Sequence, residues 1–78
     1  MNITITGHTR ERMRQRNIPQ AAVEDVLLHY HTSRPAPFRP GAKPAIIYVG
    51  EYEGKDLKVY VVRDSDPPIV TTVVWEGD

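Results

Sequence analysis

Three side chains near the start of the chain, His8, Arg12 and Arg16, recur at intervals of four residues. On a helix that spacing stacks them along one side, about 6 Å apart, as one titratable ring beside two permanent cations. Such a row suits a phosphodiester. In RNA cleavage a base removes the 2′-hydroxyl proton, the 2′-oxygen attacks phosphorus, and cations hold the extra negative charge on its oxygens. A histidine in the first turn of a helix feels both the helix dipole and a neighbouring arginine, which favour the neutral ring that a base requires. Guanidinium forks bind phosphate oxygens two at a time. His8 and Arg12 are therefore the expected catalytic pair, with Arg16 beside them as a substrate contact. The ordinary alternative is a solvated helix face whose arginines pair with carboxylates such as Glu51 or Asp64.

The row needs a helix to carry it, and the sequence supplies both ends. Thr6 offers a hydroxyl to the free N–H groups of the first turn. Asn17 tolerates a left-handed conformation, Ile18 packs back and Pro19 stops the helix, so a helix is expected from about Gly7 to Arg16. At ~100° per residue, with His8 at zero, Arg12 falls near 40°, Arg16 near 80°, Thr9 near 100° and Met13 near 140°. Thr9 and Met13 form the stripe to be buried, which puts Arg12 and Arg16 at its rim. Arg10 and Arg14 fall further round, near ~200° and ~240°, with Glu11 three residues before Arg14 as a surface partner.

Seventy-eight residues make one domain (1–78) with a modest core. The chain has no cysteine, which excludes disulfides and thiolate metal sites. His29 and His31 stand two apart without a third ligand at suitable spacing, and there is no Gly-rich phosphate loop, so no metal or cofactor is expected. No apolar run approaches the ~18 residues that span a bilayer, and the first residues do not resemble a signal peptide, so a soluble cytoplasmic protein without a membrane role is expected. The net charge of zero conceals a division. Residues 1 to 43 carry seven basic and three acidic side chains, and residues 44 to 78 the reverse. A polyanion would be drawn to the first part and held off by the second, which would orient it.

Asn2 to Thr6 alternates polar and apolar residues and reads either as a short edge strand or, the favoured reading, as an extended lead-in that tucks Ile3 and Ile5 under a sheet. Pro19 suits the first turn of a second helix, whose Val23, Val26, Leu27 and Tyr30 fall on one face. Between His31 and Pro44, Pro35, Pro37, Pro40 and Pro44 forbid a helix or a central strand, leaving a loop with an extended edge piece around Ala36 to Arg39. That loop carries Arg34, Phe38, Arg39 and Lys43, which could clamp a nucleic-acid strand by charge and stacking, or Phe38 could anchor the loop to the core. Three strands follow, 45–52, 56–63 and 69–75, joined by turns at Glu53-Gly54 and Asp64 to Pro68. The expected fold is α+β: two N-terminal helices packed on an antiparallel meander of three to four strands, with the cationic row facing the cleft between helix and sheet. Tyr48, Tyr60 and Trp75 are candidates for stacking bases, although two of the three should serve the core.

The segment from His8 to Ile18, followed by Val23-Glu24-Asp25-Val26-Leu27, resembles the opening of a bacterial family, the domain of unknown function 4258, whose pattern runs H-A-x-x-R-M-x-x-R-G-I. Leu57-Lys58-Val59 and Ile69 to Val73 resemble its last two strands. The resemblance implies a RelE/ParE toxin-like fold, a group that includes metal-independent ribonucleases, and hence RNA as partner and a small antitoxin protein as a second one. His8, Arg12 and Arg16 match the family's characteristic positions. Arg39, Tyr48, Lys58 and Thr72 join Arg16 as candidate substrate contacts, with either Thr71 or Thr72 facing the cleft. Thr9 stands where the family has alanine, and Asn17 where it has glycine. The alternative function is a non-catalytic module or toxin that grips an acidic protein segment with the same row.

Overall fold

The sheet is built outward from one tight hairpin. Glu53 and Gly54 both adopt positive φ, 52° and 84°, as required by a two-residue turn whose twist matches that of its strands. It joins β3 (Ala45–Tyr52) to β4 (Lys55–Val62), and β5 (Ile69–Trp75) pairs with the other side of β4, all antiparallel. The expected meander is present, and two further strands flank it. The structure, a computed structural model, describes residues 1–77.

Of the two readings of the first residues the edge strand is the one observed: Thr4–Ile5 forms a short strand, here β1, that pairs in parallel with Ile69 and Val70. The sheet is therefore mixed rather than purely antiparallel. β2 (Thr32–Pro35) pairs with Val49 to Ile46 of β3 and forms the opposite edge. The extended edge piece thus precedes its expected place at Ala36 to Arg39. Pro35 and Pro37 explain the limit: a proline has no N–H to continue a ladder. The strand order is β1-β5-β4-β3-β2.

Both helices lie on one face of this sheet. Thr6 caps α1 (Gly7–Gln15) by accepting from the Thr9 N–H, and Asn17 at φ 56° ends it, with the Ile18 N–H returning to the Met13 carbonyl at 2.9 Å. That is a left-handed helix stop with an apolar residue folding back. α2 (Gln20–His29) starts after Pro19 and buries Ala22, Val23 and Val26, while Leu27 is half-buried. Tyr30 falls just beyond the helix and meets Tyr48 edge-on, ring centroids 4.8 Å apart.

The core gathers Ile5, Met13, Ile18, Ala22, Val23 and Val26 against Leu57, Val59, Val61, Val70 and Val73. Each fully buried branched side chain contributes roughly 1.5–3 kcal/mol. Gly50 lets α2 come close to β3, because a Cβ there would lie 3.3 Å from both the Tyr30 Cα and the Val26 Cγ1. The protein is α+β, two helices on one side of a five-stranded sheet, and the other side of the sheet carries no helix.

Candidate functional site

A β-bulge decides which groups meet at the edge of β5. Tyr60 pairs with Thr72 and Val61 with Val70, which leaves Thr71 as the extra residue. The strand changes parity there. Before the bulge, the outward carbonyls of Pro68 and Val70 accept from the backbone of Thr4 and Thr6 at 2.9 and 3.3 Å. After it, the outward carbonyls are those of Thr71 and Val73, and β1 has ended. Helix α1 supplies their partners from side chains. The Thr9 hydroxyl donates to Thr71 at 2.7 Å, and Arg16 Nη1 donates to Val73 at 3.0 Å.

Arg16 is thereby taken out of the cationic row. Its guanidinium holds the sheet edge, its own carbonyl accepts from Trp75 Nε1 at 3.1 Å, and it is only half-exposed. Arg16, expected as a substrate contact, is engaged with the β5 edge. The physical reason is the bulge, which leaves a carbonyl unpaired within reach of the last turn of α1.

The same contacts fix the rotation of α1. Arg10, near ~200° on the wheel, bonds Gln20 of α2 at 3.2 Å. Met13 (~140°) enters the core, and Thr9 (~100°) and Arg16 (~80°) meet the β5 edge. Continuing the same way, Arg12 (~40°) and His8 (~0°) turn away from Met13 and from α2. Both are exposed, and neither has a side-chain hydrogen bond among the described residues. The row therefore does not face a cleft between helix and sheet, where Thr9 and Met13 close the gap. What remains of it, His8 and Arg12, is an exposed pair on α1.

The helix-free face of the sheet carries an ordered set of side chains. Register places Arg34, Ile47, Tyr60 and Thr72 in one row across four strands, spanning about 14 Å at the usual strand spacing. Thr32, Val49, Lys58 and Val74 form the next row. Ile47 and Val49 are 2% and 4% exposed without a helix above them, so the long side chains beside them must exclude the water. Glu51 pairs with Asp56 one row further, where Asp56 also meets His31 at 3.5 Å. The charge division seen in the sequence thus reappears along this face as a basic end and an acidic end.

At the basic end lies a cleft of about 590 Å³ whose walls include Phe38, Arg39, Lys43, Tyr60, Arg63, Thr71 and Thr72. Its lining holds three cations and no carboxylate. Among the described residues none of those cations has a carboxylate within 4 Å; the one arginine so paired is Arg14, with Glu11. Phe38 is 87% exposed, so it does not anchor the loop to the core. Backbone bonds anchor the loop instead, from Ala36 to Ala45, Ala42 to Arg39 and Arg63 to Pro44.

The sequence-derived candidates divide accordingly. Arg39 and Thr72 share the cleft and Lys58 stands on the same face, whereas His8 and Arg12 are outside the cleft lining, exposed on α1. Tyr48 lies on the other face, against Tyr30 and the core, because it is paired with Val59. The question of Thr71 or Thr72 dissolves, since the bulge lets both line the cleft. Lys43, expected in the loop clamp, and Tyr60, expected as a stacking candidate, line the same cleft, and Arg63 completes it without having been among the expected contacts. Arg63 follows a strand whose end gave no signal of what lay beside it.

Among the described residues no helix is long and apolar enough to cross a membrane. No curated protein and no solved structure matches the chain. A family model described as "Domain of unknown function (DUF4258)" matches residues 5–75, and the chain belongs to that family.

Proposed function

We propose that this member of the DUF4258 family is a toxin-like RNA-binding domain of RelE/ParE kind, working in the cytoplasm, which lays an RNA backbone across the helix-free face of its sheet. The observation that carries the reading is the cleft in which Arg39, Lys43 and Arg63 converge without a carboxylate. Unneutralised cations around a concave surface raise the local concentration of a polyanion, and phosphate contacts give most of its affinity. The acidic end at Glu51 and Asp56 repels the same backbone and sets its direction.

The catalytic extension of this reading uses the exposed pair on α1. A strand leaving the cleft past Thr71 meets the first turn of α1, where Thr9 touches Thr71 and His8 precedes Thr9. There His8 takes the 2′-hydroxyl proton, the 2′-oxygen bonds to phosphorus, and the bond to the 5′-oxygen breaks, with that oxygen taking a proton from solvent. Arg12 stabilises the negative charge on the five-coordinate phosphorus.

The test is RNA binding and cleavage by the purified chain in EDTA. Binding that His8→Ala retains, with cleavage that His8→Ala abolishes, supports the whole reading. Binding without cleavage reduces it to a binding module. Failure to bind any RNA, with recovery of a stoichiometric acidic protein from native cells, replaces it with the protein-partner alternative.

A further inference from the structure

We infer that the cleft seats one unstacked nucleotide of a single strand, with its base against Phe38 and its phosphate among Arg39, Lys43 and Arg63. This rests on the RNA-binding reading above and names the form of nucleic acid that the site accepts. The argument begins with the cost of Phe38. A phenylalanine ring left in water forgoes roughly 1.5–3 kcal/mol that burial would return, and this one is 87% exposed in a cleft wall.

Its loop holds the ring there. Pro35, Pro37, Pro40 and Pro44 each fix a backbone angle, and hydrogen bonds close the loop at both ends, from Ala36 N–H to Ala45 and from Arg63 N–H to Pro44 at 2.9 Å each. A ring on a stiffened loop loses little freedom when a flat partner stacks on it. Tyr60 supplies a second aromatic wall, and the bulge brings two hydroxyl-bearing residues, Thr71 and Thr72, to line the same space. Hydroxyls donate and accept, so they serve a base edge or a ribose equally.

Size agrees with this. About 590 Å³ falls within the ~300–1,000 Å³ of sites that enclose a small molecule. In a duplex the base faces are already stacked on one another, and Phe38 would find only the phosphate wall. Charge alone accepts either form. The aromatic walls accept only the strand whose bases are free.

Three fluorescently labelled probes of equal length separate these terms: a single strand of uridines, a perfect RNA duplex, and a phosphodiester strand of abasic spacers. The uridine strand should bind best. Phe38→Ala should weaken it by between about fivefold and about a hundredfold, the range of base–aromatic stacking, and bring it level with the abasic strand. Phe38→Trp should restore the preference, and duplex binding should stay the same in all three proteins. Equal binding of uridine and abasic strands by the unmodified chain overturns the inference while leaving the basic cleft as a backbone site. Equal binding of uridine monophosphate and the uridine strand also overturns it, in favour of a free nucleotide. Failure of every probe to bind overturns the RNA reading itself. Phe38 is too exposed for its loss to unfold the chain, so each result can be read directly.

Discussion

The Thr9 hydroxyl donates to the Thr71 carbonyl over 2.7 Å, joining the first turn of α1 to the extra residue of the β5 bulge. Thr9 is 1% exposed, and its oxygen also lies 2.6 Å from that of Thr6. Since the Thr9 proton goes to Thr71, Thr6 must donate to Thr9. The helix cap and the sheet edge thus share one chain of hydrogen bonds.

Thr9→Val keeps the shape and removes the donor. The part-buried Thr71 carbonyl then loses its partner, which costs up to about 1–3 kcal/mol. In a domain of this size each kcal/mol lowers the Tm by roughly 4–8 °C, a shift that circular dichroism resolves. An unchanged Tm would mean that the bond between Thr9 and Thr71 contributes nothing to stability.

The two arginines that the sequence placed in one row should behave differently. Arg16→Met retains the aliphatic stem and loses the bond to Val73, with an expected cost of about 1–3 kcal/mol. Arg12→Met touches no hydrogen bond and should stay within about 0.5 kcal/mol of the parent, while weakening RNA binding. Urea denaturation and binding isotherms on the two variants measure both effects. The same stability loss in both would refute the division between an engaged Arg16 and an exposed Arg12.

Much of this fold was legible because its causes are local. Thr6, Asn17 and Pro19 punctuate α1 through bonds within a few residues, and Glu53-Gly54 sets the hairpin by its own φ angles. The pairing of Thr4 with Ile69 depends on residues far apart in the chain, and a two-residue strand leaves no period to read. The bulge at Thr71 was hidden because Ile69 to Trp75 is apolar or β-branched throughout, so no alternation marked the change of face. That one unseen residue accounts both for the bond that engages Arg16 at the β5 edge and for the two threonines between which the sequence did not choose. The cleft itself gathers Arg39, Tyr60, Arg63 and Thr72 from separate segments, which spacing does not report.

Gly50→Ala tests the approach of α2 to β3. The added methyl meets the Tyr30 Cα at 3.3 Å and the Val26 Cα at 3.4 Å, and backbone cannot swing aside as a side chain would. The helix must move outward, with an expected loss of about 1–3 kcal/mol. A lower urea midpoint at unchanged slope is the predicted result. A midpoint at or above that of the parent would show that α2 has slack the structure does not display.

Glu11 and Arg14 give a pH dependence of known sign. The hydrogen bond from Arg14 and its charge hold the Glu11 carboxyl below its ordinary value. A folded-state pKa lowered in this way adds stability above the unfolded value, and that stability is lost as the pH falls through the folded value. The helical signal of α1 should therefore weaken in acid, and Arg14→Gln should move the Glu11 midpoint upward in a carboxyl-detected NMR titration. Because both groups are exposed, the effect on global unfolding should be slight. A Glu11 midpoint unmoved by Arg14→Gln would break the assignment.

The salt dependence of RNA binding counts the phosphates the chain neutralises. For single strands the slope of log K against log salt changes by about 0.7 per phosphate contact. Arg39→Gln, Lys43→Gln and Arg63→Gln should each flatten it by up to that amount, and Arg12→Gln should do the same if the strand crosses the β5 edge to α1. Arg10→Gln supplies the control, since Arg10 faces α2 and bonds Gln20. A triple cleft variant with the parent's slope would place the polyanion elsewhere on the molecule. A flattened slope in the cleft variants and in Arg12→Gln, but not in Arg10→Gln, would trace the strand from the cleft past Thr71 to His8.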